Sequence, residues 1–191
     1  MIGSMPNASA GQAAPQQLLL VGYRGTGKTA TGIKLAQRLG WQFIDTDHEL
    51  EREAGQTISA IFATAGEPAF RRLETAVLSK AVQRDQVVVS TGGGIVLLPE
   101  NRAMLTGVGT VVWLKAQVAT IQARLSADRR LNDNRPALLG NDVVDEVAEV
   151  LRMRTPWYEA VSHFSVDTDE RTQQEVADAI VAWLHVHRPK S

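Results

Sequence analysis

The chain has 191 residues, 44% of them hydrophobic and 21% charged, with a formal net charge of −1 and no cysteine. That length and apolar content suit one α/β domain with a sizeable core, and the near-zero charge supplies no broad attraction to nucleic acid or anionic lipid. Without cysteine, disulfides, thiolate metal sites and cysteine nucleophiles are all excluded.

The opening MIGSMPNASAGQAAPQQ has neither the basic start nor the apolar stretch of a secretory signal. Its Ala, Gly, Gln and Pro content reads as a disordered tail over residues 1–16, with a single domain over residues 17–191. No apolar run approaches the ~20 residues that span a bilayer, so the expected compartment is the cytoplasm. QLLLVGY, from Gln17, is a short apolar run reaching a glycine and predicts a buried strand. A helix follows over Lys28–Leu39, closed by Gly40. Further strands are expected at Gln42–Ile44, Val87–Ser90, Thr110–Leu114 and His163–Val166. Helices are expected at Glu49–Glu53, Ile58–Ala65, Glu67–Gln83, Pro99–Leu105, Val118–Ser126 and Val143–Val161. In the last helix Thr172 and Glu175 form a capping-box pattern, with Val176, Ile180, Trp183 and Leu184 on one face. Alternating strands and helices of this kind imply a mainly parallel sheet covered on both sides. One stretch breaks the rhythm: ADRRLNDNRPALLGND is polar, basic and turn-rich, and reads as a mobile flap or lid over about residues 126–142.

Between the first strand and first helix stands GYRGTGKT, Gly22 to Thr29, which fits G-x-x-x-x-G-K-[ST]. Glycines let such a loop turn its N–H groups inward around a polyphosphate, and the helix start adds partial positive charge. Lys28 is placed to reach the β- and γ-phosphates, and the Thr29 hydroxyl to ligate Mg²⁺. The chain is therefore expected to bind a nucleotide.

A phosphate loop usually takes a second metal partner from an aspartate ending another apolar strand. The apolar strand VVVS ends in STGGG, without a carboxylate. FIDTDHELE supplies it instead: Asp45 ends the second strand, and Asp47 points the same way one residue pair further out. The reading is that Asp45 serves the metal while Asp47 orients or deprotonates an acceptor hydroxyl. The plainer alternative is that Asp47 is only an N-terminal cap for the HELERE helix, which leaves Asp45 unexplained.

Three features bear on the acceptor. In EPAFRRLE, Arg71 and Glu74 lie three apart on a helix, so the carboxylate can fix a guanidinium able to grip an acid through two hydrogen bonds. Gly92, Gly93 and Gly94 end a central strand, where a substrate can lie against backbone N–H groups. The basic set Arg129, Arg130 and Arg135, with Arg152 and Arg154 in RMRTPWY, includes in Arg135 a flap residue suited to a developing phosphoryl charge. A surface ion pair, a flexible turn and a solvated charge cluster are the plainer alternatives for the three. The four histidines show no ligand spacing, and Trp41, Trp113, Trp157 and Trp183 are read as core.

Taken in order, GYRGTGKT, DTD, FRRLE, GGG and the pair RPALL with RTPWY resemble the shikimate kinases. The resemblance runs from about Leu18 to the last helix and implies a three-layer P-loop kinase fold. In that fold a five-stranded parallel sheet has helices on both faces and a mobile lid. It implies transfer of the ATP γ-phosphate to the 3-hydroxyl of shikimate, on the route to chorismate and the aromatic amino acids. Gly25, Thr26, Gly27, Lys28, Thr29 and Ala30 would hold ATP, joined by Arg135 and by Arg171 near the adenine. Thr29 would bind one Mg²⁺ directly and Asp45 through water. Asp47 would be the base, with Lys28 and Arg135 also catalytic. Arg71 and Arg154 would clamp the carboxylate, steadied by Glu74, while Gly92, Gly93 and Gly94 give backbone contacts. The expected partners are ATP and shikimate, with neither nucleic acid nor membrane, and the expected state is a monomer. The lid reads NRPALL after a lengthened stretch, which leaves the adenine-flanking arginine open among Arg124, Arg129 and Arg130. A gluconate-type kinase and a non-catalytic shikimate sensor are the rival functions.

Overall fold

The computed structural model describes residues 16–127 and 146–187. Residues 1–15 of the expected tail and most of the expected lid, with Arg129, Arg130 and Arg135, lie outside the described residues. Five strands form one parallel sheet, apolar and buried at its centre and more polar at the edges: β1 (Gln17–Val21), β2 (Gln42–Asp45), β3 (Val87–Ser90), β4 (Thr110–Lys115) and β5 (Phe164–Asp167). Their order is β2-β3-β1-β4-β5, with Leu19 of β1 in register between Val89 and Val111.

Successive strand residues face opposite layers, and the clusters follow that alternation. Leu19, Val21, Val89 and Val111 pack with Leu78, Leu105 and Tyr158. These come from α3 (Ile58–Ala81), α4 (Pro99–Gly107) and α6 (Val147–Val161). Leu18, Leu20, Val88 and Val112 pack on the other side with Leu35, Ile180 and Leu184, from α1 (Lys28–Leu39) and α7 (Gln173–His187). Leu19 is fully buried, so its truncation to alanine costs about 2–5 kcal/mol. Two smaller clusters complete the frame. α2 (Thr46–Ala54) packs Leu50 on Ile58, Ile61 and Phe70, and α5 (Val118–Ala127) packs Ile121 and Leu125 on Tyr23, Val147 and Val150.

The order of strands fixes where a ligand can enter. The chain leaves β1 through α1 toward β2 on one face, and leaves β3 through α4 toward β4 on the other. Adjacent strands with diverging connections open a crevice at their carboxyl ends. That crevice lies between the loop after β1 and the glycines after β3.

Several boundaries differ from the sequence expectation by one to three residues. α2 begins at Thr46 rather than Glu49, because Asp45, not Asp47, is the cap: its side chain accepts from the backbone N–H groups of Asp47 and His48. The break expected between two helices at Gly66 is present: the halves of α3 meet at Gly66, whose φ of 74° and ψ of 172° are non-helical and suit glycine. The second half stops at Ala81, two residues short of Gln83. α6 is described from Val147; residues 143–145 lie outside the described residues. The capping box is present: Thr172 N–H donates to Glu175 Oε2 at 2.8 Å and Glu175 N–H to Thr172 Oγ1 at 3.2 Å. The first of these holds the Glu175 carboxyl below the usual carboxylate range. Trp113 is buried, and Trp41, Trp157 and Trp183 are half-buried against the two main cores. Among the described residues, no helix is long and apolar enough to cross a membrane.

Candidate active site

The phosphate loop is built by two glycines in left-handed conformation, Gly25 at φ 79° and Gly27 at φ 85°, where a side chain would be strained. Gly27 gives α1 no side-chain cap, so the first N–H groups of the helix are directed at the loop's mouth. Lys28 is buried, its Nζ donating to the Gly22 and Tyr23 carbonyls at 2.8 Å each. Thr26 Oγ1 donates to the Tyr23 carbonyl at 2.8 Å and braces the turn. Inward N–H groups, a helix start and an ammonium together form a cradle for polyphosphate.

The aspartate doublet stands across from it. Thr29 Oγ1 donates to Asp45 Oδ2 at 2.7 Å, while Asp45 Oδ1 accepts from Asp47 N–H at 3.1 Å and His48 N–H at 3.4 Å. A hydroxyl and a carboxylate are hard oxygen donors of the kind Mg²⁺ takes. Among the described residues no three acidic or histidine side chains converge into a self-sufficient metal cage. A cation here would therefore complete its shell with phosphate and water, as Mg²⁺ does. Asp47 is half-buried and lines the same cleft of about 680 Å³. Gly25, Thr26, Gly27, Lys28, Thr29, Ala30, Asp45, Gly93 and Arg171 share its walls.

Arg71 and Arg154 are not on those walls; they stand behind the glycine turn. Arg71 is buried, with Nη1 donating to Glu74 Oε2 at 2.7 Å and Nε and Nη2 to Glu67 Oε1 at 3.1 and 2.8 Å. Burial works against its charge, and the adjacent Glu74 and Glu67 outweigh that, holding its pKa above the ordinary arginine value. A Cβ placed on Gly94 would meet Arg71 Nη1 at 2.3 Å, so the guanidinium fills the space a side chain would take. Arg154 Nη1 donates to the Gly93 carbonyl at 3.0 Å, and Tyr158 OH donates to the same oxygen. Arg154 Nε is buried without a hydrogen-bond partner among the described residues. Gly92 N–H is occupied by Thr46 Oγ1 at 3.1 Å, which leaves it no free N–H for a ligand. The glycines at 93 and 94 serve here through small size: Gly93 against the Arg24 backbone, Gly94 against Arg71.

Arg124, one of the three arginines left open for the adenine side, is on the cleft wall, and residues outside the expected set join it there. Arg124 Nη1 donates to the Gly25 carbonyl at 3.1 Å and Thr168 Oγ1 at 3.0 Å, and Nη2 to the Thr168 carbonyl at 2.7 Å. It thereby ties α5 to both the phosphate loop and the end of β5. Thr168, Glu51 and Gln173 also line the cleft. The usable signal was positional: VDTDER follows a strand at the carboxyl edge of the sheet, where ligands bind.

Comparison with known proteins agrees with this arrangement. The shikimate kinase family model matches residues 24–185. A shikimate kinase of Symbiobacterium thermophilum is 41% identical over 167 residues, covering 87% of this chain and 95% of the relative. Shikimate kinase 2 of an Enterobacter species is 42% identical over the same length, covering 87% and 95%. Among solved structures, a shikimate kinase from Acinetobacter baumannii in complex with shikimate superposes with a TM-score of 0.85. It is 36% identical, and the match covers 93% of this chain and 96% of that one. On the strength of the matched family model and these relatives, the chain belongs to the shikimate kinase family.

Proposed function

We propose that the chain phosphorylates the 3-hydroxyl of shikimate with ATP through a site split between the phosphate loop and the glycine turn. One observation carries the reading: Lys28, Thr29, Asp45 and Asp47 line one cleft, while two buried arginines converge on glycines 93 and 94 at its edge. Gly25 through Ala30 hold the ATP phosphates by backbone N–H groups, with Lys28 moving from loop carbonyls to phosphate oxygens. Thr29 and Asp45 would hold one Mg²⁺. When bound, that ion neutralises charge on the phosphates being transferred.

Shikimate is a hydroxylated ring acid, and the acid end selects the arginines. Arg154 offers its unpartnered Nε, and Arg71 keeps N–H groups on Nη1 and Nη2 beyond those given to Glu74 and Glu67. Glu74 fixes the Arg71 fork in place. With the carboxylate anchored there, the ring lies along the glycine turn and its hydroxyls face Asp47. Asp47 accepts the proton of the 3-hydroxyl as the oxygen–phosphorus bond forms and the bond to ADP breaks. Lys28 balances the charge passing to the ADP oxygens, and we assign Arg135 of RPALL to the phosphate in transfer. Arg124 and Arg171, at the far end of the cleft from Asp47 along the chain's β5 edge, flank the nucleotide base. The active unit is residues 17–191, acting as a cytoplasmic monomer.

The test is ADP release from ATP and Mg²⁺ with shikimate, gluconate or no acceptor. Release that requires shikimate and fails with gluconate is expected, because gluconate lacks the rigid ring that presents one hydroxyl to Asp47. Release with gluconate would make the chain a broader polyol-acid kinase. Silence with every acceptor, in protein that binds both ATP and shikimate, would favour a sensor.

A further inference from the structure

Arg24, inside the phosphate loop, carries an ion pair that phosphoryl transfer as described does not use. Its Nη2 lies 2.6 Å from Glu146 Oε1, with the Glu146 side chain fully enclosed and that of Arg24 12% exposed. Arg24 Nη1 is buried with no hydrogen-bond partner among the described residues. Desolvating two charges costs about as much as their attraction returns, so a buried pair is weak evidence for stability. Its location argues for a role in position.

Both ends of the pair lead into the site. A Cβ on Gly93 would stand 3.3 Å from the Arg24 backbone nitrogen, so loop and glycine turn are in contact. Glu146 immediately precedes α6. About two and three turns further along, α6 presents Arg154 Nη1 and Tyr158 OH to the Gly93 carbonyl. A closed circuit results, running from loop to glycine turn to α6 to Glu146 and back to the loop. Two points of attachment fix the rotation of α6 against the loop as well as its distance.

We propose that the Arg24–Glu146 ion pair is a positioning strut that couples nucleotide binding at the phosphate loop to acceptor binding at Arg154. The inference rests on the assignment of Arg154 to the acceptor's carboxylate. A loop drawn onto phosphates orders α6 through the pair, and by linkage the bound acceptor assists the nucleotide equally.

The test is calorimetric titration of shikimate into the full chain with and without saturating Mg²⁺ and ADP. In the native protein ADP raises shikimate affinity on the order of 5-fold or more. Glu146→Gln keeps an acceptor oxygen but removes the charge; it brings that ratio to about one, while affinity without ADP stays within about threefold. Arg24→Met combined with Glu146→Leu removes both charges at similar volume and preserves the fold. It loses the coupling too, and it decides the matter if Glu146→Gln is too unstable to titrate. A native-like ratio in either variant, or no coupling in the native protein, overturns the proposal. Arg154→Lys tests the reading beneath it: unchanged shikimate affinity there displaces Arg154 from the acceptor site, whatever the Glu146 variants do.

Discussion

Thr29 and Asp45 are joined by a 2.7 Å hydrogen bond from hydroxyl to carboxylate, across the mouth of the phosphate loop. The other oxygen of the same carboxylate caps α2 through the N–H groups of Asp47 and His48. Asp45 thus has two jobs that different substitutions separate, and Asp47, one residue pair on, is carried into the cleft by the helix that Asp45 starts.

Asp45→Asn keeps a good capping side chain, whereas Asp45→Ala removes it. The alanine variant should lose about 1 kcal/mol of stability relative to asparagine. Urea unfolding of the two variants measures the difference. Equal stability would mean that the cap contributes nothing.

Asp47→Asn should bind ADP and shikimate much as the native chain does, yet turn over at least ~10²-fold more slowly, the scale of a lost acid–base group. Steady-state rates beside equilibrium binding check this. Near-native turnover would remove Asp47 from the proton transfer.

Gly94→Ala places a methyl group where Arg71 Nη1 now lies. Glu74 and Glu67 resist the shift of the guanidinium, so the grip on the acid loosens. The KM for shikimate should rise by at least ~10-fold, about 1.4 kcal/mol, with the KM for ATP little changed. A rise confined to ATP would put Arg71 on the nucleotide side.

Glu74→Ala leaves the Arg71 charge buried beside only the half-exposed Glu67. Breaking a buried pair in this way costs about 3–5 kcal/mol. Because Arg71 has its pKa raised in the folded chain, its contribution is complete below the arginine range and is lost only as pH climbs through it. The Arg71 side of the deficit should therefore be flat from mildly acidic to mildly alkaline buffer. Denaturant midpoints at several pH values check both statements.

The phosphate loop was legible because its chemistry is local: spacing, glycines and the flanking strand and helix all fall within a dozen residues. The central strands were legible for a similar reason, since runs such as LLLV and VVVS are short, apolar and bounded by turn residues. Read from sequence, both aspartates lie on an extended chain, but α2 begins at Thr46, so Asp47 is already helical and the cap is Asp45. Which aspartate caps depends on where helical dihedrals begin, and that is settled by the strand's pairing with Ser90. The role of Gly94 was equally hidden: the GGG run reads as open backbone, whereas its space is filled by Arg71 from another helix. Arg124 and Thr168 meet across 44 residues of sequence, and no short pattern marks such a pair.

In the proposed mechanism the two aspartates serve different partners, Asp45 the metal and Asp47 the acceptor. The most direct measurement is turnover of Asp45→Asn and Asp47→Asn as Mg²⁺ is raised at saturating ATP and shikimate. Asp45→Asn should need more Mg²⁺ and recover to within about tenfold of the native rate, whereas Asp47→Asn should stay at least ~10²-fold slow at every concentration. Recovery of both variants, or of Asp47→Asn alone, would contradict the division.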